Sequence, residues 1–418
     1  MAGEWVTKRI GDLGRVVTGK TPSTAVAENF GGDYPFITIP DMDGRREIAH
    51  SARTLSEQGA QSLRTCRLPA GAVMMSCIAT IGNCGITTRP SFTNQQINSL
   101  ICGDDAVPKF VYYCFTQLGH ALEAAGGGGS VYTNVSKARF EEIELTLPPL
   151  AEQKAIAAVL GALDDKIELN RRMNATLEAM ARALFQSWFV DFDPVRAKLD
   201  GRQPPDLDSA TAALFPAAFQ ESDFGPIPNG WRTGSIYEIS DVIYGAPFAS
   251  KQFNAIRDGA PLIRIRDLAD ESPGVWTPEV HPKGYTVQPG DIVVGMDGEF
   301  RAYLWGGVPA WLNQRVCVFA PKPGFSAAFV RNSIIAPLAE VEATETATTV
   351  IHLGKNDIDR FKAVIPPPEI HEAFAKLCQP WYDQIVANKQ QSRTLATLRD
   401  TLLPKLLSGE LNALEAAG

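Results

Sequence analysis

The sequence lacks the features that mark a membrane-spanning, secreted or metal-binding protein. No apolar run in its 418 residues approaches the ~18 residues that cross a bilayer. The segment from Met1 to Leu13 carries charges where a signal peptide has an apolar core. The seven cysteines form no C-x-x-C pair, and the five histidines are scattered. We therefore expect a cytoplasmic protein with no membrane partner, no disulfide framework and no bound metal.

Signs of catalysis are equally sparse. No histidine has an acid at a spacing typical of nucleophilic or metal chemistry, and no Asn-Pro-Pro-Tyr-like motif or glycine-rich cofactor loop is present. Asp297, Glu299 and Arg301 form a compact charged cluster. Acid–base chemistry is one hypothesis for this cluster, and a loop of solvated or base-reading charges is the other. We favour the second and predict a chain without catalytic residues.

One motif points to nucleotides. Gly14, Gly19, Lys20 and Thr21 satisfy the phosphate-loop pattern G-x-x-x-x-G-K-[ST]. That loop needs a buried strand before it and a helix after it, whereas Pro22 follows Thr21 at once. A nucleotide-binding enzyme is therefore an alternative, and we prefer a turn that offers a cation and a hydroxyl to phosphate.

The charge balance argues against nucleic acid only at first sight. The net charge is -8, whereas proteins that neutralise phosphates usually have a basic surface. Residues 191–225 hold seven acidic and three basic side chains, so half of the net negative charge lies in one short segment. That segment can face away from DNA.

The chain repeats itself. The residues after Trp5 match those after Trp231 without a gap, and the same offset aligns the segments 34–42 and 260–268. Further on, Asn94-Gln95 aligns with Asn313-Gln314. Within each copy, short β-branched runs separated by glycine and proline predict strands mixed with a few helices. We therefore predict two tandem globular domains of the α+β class.

A long helix is predicted after each copy, because prolines at 148–149 and 366–368 can precede a helix but not continue one. Apolar residues then recur at alternating spacings of four and three, as in a coiled coil. We call these positions the seam residues. In the first helix they are Ile156, Leu160, Leu163, Ile167, Asn170, Asn174, Leu177, Ala181, Leu184 and Trp188. In the second they are Phe374, Cys378, Trp381, Ile385, Asn388, Ser392, Leu395, Arg399, Leu402 and Leu406.

Two equivalent apolar stripes most simply bury each other, so we predict an antiparallel coiled coil with pseudo-two-fold symmetry. The alternative is that each helix packs only on its own domain. The predicted boundaries are 1–150 for the first domain, 151–190 for its helix, 191–226 for a linker without strand or heptad pattern, 227–368 for the second domain, 369–412 for its helix and 413–418 for a tail.

Four segments of the chain are distinctive, namely LPPLAEQKAIAAVLGALDDKIELN, WFVDFDPVRAK, GPIPNGW and LRDTLLPKLLSGEL, which begin at Leu147, Trp188, Gly225 and Leu398. The first domain adds the motifs TGKTPST, NFGGDYPFITIPDM, ATIG and TNQQ. Through these segments, and over essentially its whole length, the chain resembles the specificity subunits of type I restriction-modification systems. Gly245-Ala246-Pro247 departs from the Gly-Lys-Thr-Pro turn of the first copy.

The resemblance implies two target-recognition domains, each reading one half of a split sequence in double-stranded DNA. It also implies two methyltransferase (modification) subunits and additional endonuclease-translocase (restriction) subunits as partners. S-adenosylmethionine, ATP and magnesium would belong to those partners, and this chain would bind no cofactor. The remaining alternative is a scaffold that assembles partners through its helices and never reads DNA.

In such a protein, phosphate contacts hold the register and base contacts supply the sequence information. The predicted phosphate contacts are Lys20, Thr21, Arg45, Arg46, Lys137, Lys251, Lys283 and Lys355. The predicted base-edge contacts are Asn94, Gln95, Gln96, Arg264, Arg266, Arg301, Asn313, Gln314 and Arg315. For the repeated Asn-Gln pairs, hydrogen bonding inside each domain is an equally weighted reading. A loop at 126–134, with Ser130 and Tyr132, is expected either to order on DNA or to be a tether.

Overall fold

The computed structural model describes residues 4–78, 80–126, 134–204, 206–344 and 351–416. The chain divides into two compact units. Unit 1 is Met1–Glu168 with Thr394–Gly418, and unit 2 is Leu169–Arg393. Both divisions fall within the two longest helices, so each unit contains one globular domain and a segment of each long helix.

The domain of unit 1 is built from short strands and helices. Its strands are β1 (Val6–Arg9), β2 (Gly14–Thr18), β3 (Phe30–Ile37), β4 (Glu47–Ile48), β5 (Thr54–Leu55), β6 (Val73–Ser76), β7 (Cys84–Thr87), β8 (Phe92–Thr93), β9 (Ile97–Cys102) and β10 (Glu144–Leu147). Its helices are α1 (Glu57–Ser62), α2 (Pro108–Gly126) and α3 (Lys137–Glu142), and the long helix α4 (Leu150–Phe189) follows. The sheet orders are β2-β9-β6-β7-β4, β5-β3-β8 and β1-β10.

Unit 2 starts with the rest of α4 and two short helices, α5 (Asp193–Leu199) and α6 (Ser209–Leu214). Its strands are β11 (Phe219–Gln220), β12 (Ile227–Pro228), β13 (Arg232–Ser235), β14 (Ser240–Tyr244), β15 (Ala260–Ile263), β16 (Trp276–Thr277), β17 (Thr286–Val287), β18 (Ile292–Gly295), β19 (Ala302–Leu304), β20 (Ala310–Leu312), β21 (Val316–Pro321) and β22 (Lys362–Ile365). Its further helices are α7 (Ile236–Ile239), α8 (Ala327–Thr344), α9 (Lys355–Ile358) and the first part of α10 (Pro368–Leu407). The end of α10 and the helix α11 (Ala413–Ala416) belong to unit 1.

The two domains share one strand order. The sheet β14-β21-β18-β19 repeats β2-β9-β6-β7, and the pair β13-β22 repeats β1-β10. The parallel pairing of β15 with β20 likewise repeats that of β3 with β8. Buried β-branched and apolar runs, such as Ile292–Gly295, occupy the middle of each larger sheet. The internal repeat predicted from the sequence is therefore present in the fold.

Residues 191–226 correct one prediction, because this segment is not an irregular linker. It contains α5, α6 and β11, which pairs with β12. Phe192, Val195 and Phe215 are buried in the apolar core of unit 2, where Phe215 packs edge-on against Trp188. Buried aromatic residues hold this segment against the core of unit 2. They do not recur at a regular spacing, so a search for heptads or for alternation does not detect them.

The long helices pack against each other in antiparallel orientation, as the seam predicted. Within unit 1, Arg399 of α10 donates to Asp164 of α4 at 2.8 Å. Within unit 2, Asn388 of α10 donates to Asn174 of α4 at 2.9 Å. Also within unit 2, Asn170 of α4 donates to Ser392 of α10 at 3.2 Å, so the residue number falls along α10 as it rises along α4, and the two segments are antiparallel. Every seam residue is buried or partly buried.

The alternative reading of the helices is also partly right. In unit 1, Ile156 and Leu160 of α4 and Leu403 of α10 join the core of the first domain. In unit 2, Trp188 of α4 and Phe374 of α10 join the core of the second domain. Each helix therefore pairs with the other and also packs on a globular domain.

Candidate nucleic-acid interface

The phosphate-loop motif of the sequence folds as a strand followed by a turn. Gly14 opens β2, which occupies the middle of the motif, and no helix of the α type follows before Glu57. Gly19 lies against the main chain that follows β8, where an added Cβ would come within 2.2 Å of the carbonyl oxygen of Asn94. Lys20 and Thr21 are exposed on this turn. The turn therefore presents a cation and a hydroxyl to solvent, without the geometry of a nucleotide cradle.

The amide side chains after β8 divide into local and exposed groups. Asn94 is buried, its Oδ1 accepts from the main-chain N–H of Gln96 at 3.1 Å, and its Nδ2 donates to Gln96 Oε1 at 3.0 Å. Gln95 is exposed, and Thr21 donates to its Oε1 at 2.8 Å. The prediction that Asn94 makes hydrogen bonds inside its own domain is therefore right, and we no longer count Asn94 among the predicted base-edge contacts. Gln95 and Gln96 stay among them.

Arg46 also needs correction. Its side chain is only 6% exposed, and its guanidinium lies 2.6 Å from Asp165 Oδ1 and donates to the carbonyl oxygen of Gly161 at 3.3 Å. Burial by itself would lower the pKa of Arg46, but hydrogen bonds from its guanidinium to Tyr113, Asp165 and Glu47 raise it above its ordinary value. Arg46 is thus a permanent cation committed to unit 1, and we withdraw it as a phosphate contact.

Arg264 is the third predicted DNA contact that the structure corrects. Its main-chain N–H and Nε donate to Asp267 Oδ2 at 2.9 and 3.0 Å, and its Nη2 donates to Oδ1 at 3.1 Å. Thr38 makes the equivalent bond to Asp41 in the first domain. Arg264 therefore closes a short 3-10 turn, and a bidentate contact to a base would require this pairing to break.

The other predicted contacts lie at the surface. Arg45 pairs with Asp43 at 2.8 Å, and Lys137, at the first turn of α3, pairs with Glu141 at 3.4 Å. Exposed ion pairs of this kind contribute little to stability and are easily exchanged for phosphate. The remaining exposed cations are Lys251, Arg266, Lys283 and Lys355. Ser130 and Tyr132 lie outside the described residues.

A cluster in the second domain was only partly anticipated. His352 Nδ1 lies 2.7 Å from Asp297 Oδ1, and the Arg315 guanidinium lies 3.5 Å from the same oxygen and 3.3 Å from His352 Nδ1. Asn313 uses its Oδ1 locally, accepting from the main-chain N–H of Gln314 at 2.9 Å. The sequence pointed to Arg315 and Gln314 but missed His352. The internal repeat could have pointed to His352, because His352 forms a β-bridge with Asp297 in the second domain as Asn134 does with Ile78 in the first.

The two carboxylates of the charged cluster at 297–301 contact different cations. Asp297 is engaged by His352 and Arg315, whereas Glu299 pairs with Arg301 at 3.3 Å. Arg301 also pairs with Glu342 at 2.9 Å. Carboxylates that cooperate in acid–base catalysis must face one substrate position, and these two face different cations.

Two searches concern the described ranges 4–78, 80–126, 134–204, 206–344 and 351–416. Within them, no group of three or more histidine, cysteine, aspartate or glutamate side chains is arranged to hold a metal ion. No helix within these ranges combines the length and the apolar character that crossing a membrane requires.

These features define a class of protein, namely a duplicated α+β chain whose two domains are joined through paired long helices. A solved structure of the S subunit of the type I restriction-modification system of M. genitalium shares this fold, with a TM-score of 0.54, 15% identity and 96% of each chain covered.

Sequence comparison gives the family. Residues 2–179 match the type I restriction modification DNA specificity domain. The chain is 35% identical to the type I restriction enzyme HindI specificity subunit of Haemophilus influenzae over 331 residues, which cover 64% of this chain and 69% of that protein. It is 28% identical to the MjaIX specificity subunit of Methanocaldococcus jannaschii over 99% of this chain and 94% of that protein. The chain belongs to the family of type I restriction enzyme specificity subunits.

Proposed function

We propose that this chain reads a bipartite sequence in double-stranded DNA, one half with each domain, and holds modification subunits over the two halves. In this proposal the chain is itself non-catalytic and acts in the cytoplasm with its DNA. Methylation of an adenine requires that base to leave the duplex, so the partner subunit must be placed accurately over each half-site. S-adenosylmethionine, ATP and magnesium would be bound by the modification and restriction subunits.

The observation that carries the proposal is a constant framework with different exposed groups. Gly19 and Gly245 donate equivalent main-chain hydrogen bonds, to Ile97 at 3.2 Å and to Val316 at 3.0 Å. Each glycine also lies against the main chain of an equivalent asparagine, Asn94 or Asn313. The same scaffold is thus built twice to present one turn and one edge of the sheet.

The groups presented beside that framework differ in chemistry. The repeat aligns Gln96 with Arg315 and Asn134 with His352. Amide side chains can pair with the edge of adenine, whereas an arginine can donate two hydrogen bonds to O6 and N7 of guanine. Arg315 is 56% exposed, and Asp297 beside it can hold its guanidinium in one orientation. Two copies with different hydrogen-bonding groups suit a target with two different halves.

Domain exchange tests the division of labour. Residues 1–150 are replaced by the corresponding domain of a relative with another target, and methylated adenines are mapped in cells that express the whole system. We expect one half of the target to change and the other to stay. A change in both halves would contradict independent reading, and an unchanged target would favour the scaffold alternative.

Salt dependence tests the contact with DNA. Replacing Lys20 and Arg45 by alanine should reduce the slope of log affinity against log salt by roughly 0.9 for each phosphate that the variant no longer neutralises. Lys154→Ala serves as the matched control, because Lys154 is an exposed cation on α4 that is not among the predicted DNA contacts. An unchanged slope in the double variant would refute the proposed phosphate contacts.

A further inference from the structure

In each domain, one buried charged residue of a loop forms ion pairs with a long helix. In unit 1, Arg46 Nη2 lies 2.6 Å from Asp165 Oδ1, and its Nη1 lies 3.9 Å from Asp164 Oδ2, both on α4. Tyr113 of α2 donates to the same Asp164 carboxylate at 2.6 Å. Arg46 therefore connects a loop of the globular domain to the acidic face of α4.

Unit 2 contains a comparable contact between the corresponding loop and a long helix, but with reversed charges. Glu271 is 7% exposed, and its Oε1 accepts from Lys389 Nζ of α10 at 2.5 Å. Arg393, one turn further along α10, lies 4.0 Å from Glu271 Oε2 and donates to the carbonyl oxygen of Gly306 at 2.9 Å. The loop of this domain is acidic, and the helix face that it meets is basic.

The repeat shows that the two loops correspond. Arg46 and Glu271 follow the equivalent 3-10 turns Ile39–Asp41 and Ile265–Asp267. Extending the gapless alignment of 34–42 with 260–268 places Glu271 opposite Arg45, the neighbour of Arg46. Both loops also lie beside the equivalent strands β7 and β19, since Arg46 O accepts from Ile86 N at 2.7 Å and Glu271 Oε2 accepts from the N–H of Gly306, just after β19, at 3.2 Å. The loop is therefore kept and the polarity is inverted, whereas the helix residues that the loop meets differ, because Asp165 aligns with Asp383 and not with Lys389.

Arg46 and Glu271 are themselves buried, although Asp165 is 64% exposed, and this distinguishes their contacts from the surface pairs around them. Removing one partner of a buried ion pair leaves the other charge without compensation, and this costs far more than the removal of an exposed pair. Neither Arg46 nor Glu271 is accessible to DNA, so an effect on recognition must act through the orientation of the domain. Both residues lie shortly after the turns that Asp41 and Asp267 close, so each contact is joined directly to the framework of its domain.

We propose that Arg46 and Glu271 are positioning residues, which hold the two recognition domains on their helix segments through ion pairs of opposite polarity. Each residue then governs recognition of its own half-site without touching DNA. The inference rests on the proposed function.

The experiment uses the full chain assembled with its modification subunits and three duplexes, in which the target is intact, has the first half scrambled or has the second half scrambled. Wild-type affinity should fall for either scrambled duplex. Glu271→Lys places a cation against Lys389 and Arg393, so scrambling the second half should cost at least about tenfold less than in the wild type. Scrambling the first half should cost as much as before.

Exchanging the charges of Glu271 and Lys389 distinguishes a role in positioning the domain from a general effect on folding. The double variant Glu271→Lys with Lys389→Glu rebuilds the pair in reverse and should restore part of the discrimination of the second half-site, since Arg393 stays beside the new cation. Glu271→Gln keeps the shape without the charge and should give a partial loss even if Glu271→Lys does not fold. Arg46→Gln should give the corresponding partial loss for the first half-site. Lys376→Glu, an exposed reversal on α10, is the matched control and should change neither.

Loss of discrimination at both half-sites in Glu271→Gln, or no restoration in the charge-exchanged variant, would overturn the inference. Wild-type binding that ignores both scrambled halves would instead refute the proposed function, and the inference would fall with it. The two failures are therefore distinguishable in one set of measurements.

Discussion

Gln153 and His371 occupy equivalent positions in the first turn of the two long helices, and each accepts a hydrogen bond from the main chain of the preceding domain. Gln153 Oε1 accepts from Val107 N at 2.9 Å, and His371 Nε2 accepts from Ser326 N at 3.0 Å. Gln153 also donates through Nε2 to Asp105 O and Pro148 O. His371 Nδ1 is buried with no partner among the described residues. The two copies thus accept the same main-chain hydrogen bond with an amide in the first and an imidazole in the second.

This difference predicts an acid-sensitive second unit. Burial lowers the pKa of His371 to about 4 from its ordinary 6.5, so between these values the unfolded chain binds a proton and the folded chain does not. The stability that the neutral imidazole supports is complete above about pH 6.5 and is lost as the pH falls toward 4. We expect His371→Gln to fold normally at pH 7 and to lose less stability at pH 5 than the wild type.

Urea unfolding of both proteins at the two pH values measures this effect. Gln153→His is the reciprocal control and should introduce acid sensitivity into unit 1. An identical pH dependence in wild type and His371→Gln would show that the imidazole is not the group that titrates.

The asparagines in the helix seam predict a gain of stability on replacement. Asn170 is fully buried, and its Nδ2 donates to Gln391 Oε1 at 2.9 Å and Ser392 Oγ at 3.2 Å, while its Oδ1 has no partner among the described residues. An unsatisfied buried carbonyl is costly, and an apolar side chain of similar size removes it. We expect Asn170→Leu to raise the free energy of unfolding by about 1 kcal/mol.

The same site offers a contrasting variant. Asn170→Ala removes the hydrogen bonds and leaves a cavity, so it should lower the free energy of unfolding in the same urea titration. Destabilisation by both variants would mean that the Asn170 hydrogen bonds outweigh its unsatisfied oxygen.

Asp164 should be a large contributor to the stability of unit 1. Its side chain is 11% exposed and accepts from Tyr113 at 2.6 Å and from Arg399 at 2.8 Å. Asp164→Asn leaves the Arg399 and Arg46 cations under-compensated and should lower the free energy of unfolding by roughly 3 kcal/mol. Asp105→Asn breaks an exposed pair with Lys8 and should cost under about 1 kcal/mol. Equal losses in the two variants would contradict the role assigned to burial.

The seam could be predicted from the sequence because its period is local. Spacings of four and three place Ile156, Leu160 and Trp188 on one face whatever the rest of the chain does. The partners of individual charged residues could not be predicted in this way. Arg46 meets Asp165 across 119 positions, and His352 meets Asp297 across 55. Whether an arginine faces DNA or a carboxylate depends on which distant segment folds against it, and residue type does not contain that information.

The repeat was the part of the sequence with the most structural information. It predicted two equivalent α+β domains, the paired helices and the equivalence of the turns at Gly19 and Gly245. It did not predict the order in residues 191–226, because this segment has no second copy with which it could be compared. The charge inversion between Arg46 and Glu271 was present in the sequence as well, but only coordinates show that both residues point to a helix.

The paired glycines give a last prediction about the framework. An added Cβ at Gly245 would come within 1.9 Å of Asn313 O, and one at Gly19 within 2.2 Å of Asn94 O. These neighbours are main-chain atoms directly after a strand, Asn94 after β8 and Asn313 after β20, so they cannot move away cheaply. Gly245→Ala and Gly19→Ala should therefore each destabilise their own domain by about 1–3 kcal/mol. Gly274→Ala is the matched control, since its nearest neighbour is the Arg264 side chain at 3.4 Å. Thermal unfolding of the full chain should separate the two classes, and a Gly19→Ala protein as stable as the control would show that this turn is not fixed against the sheet.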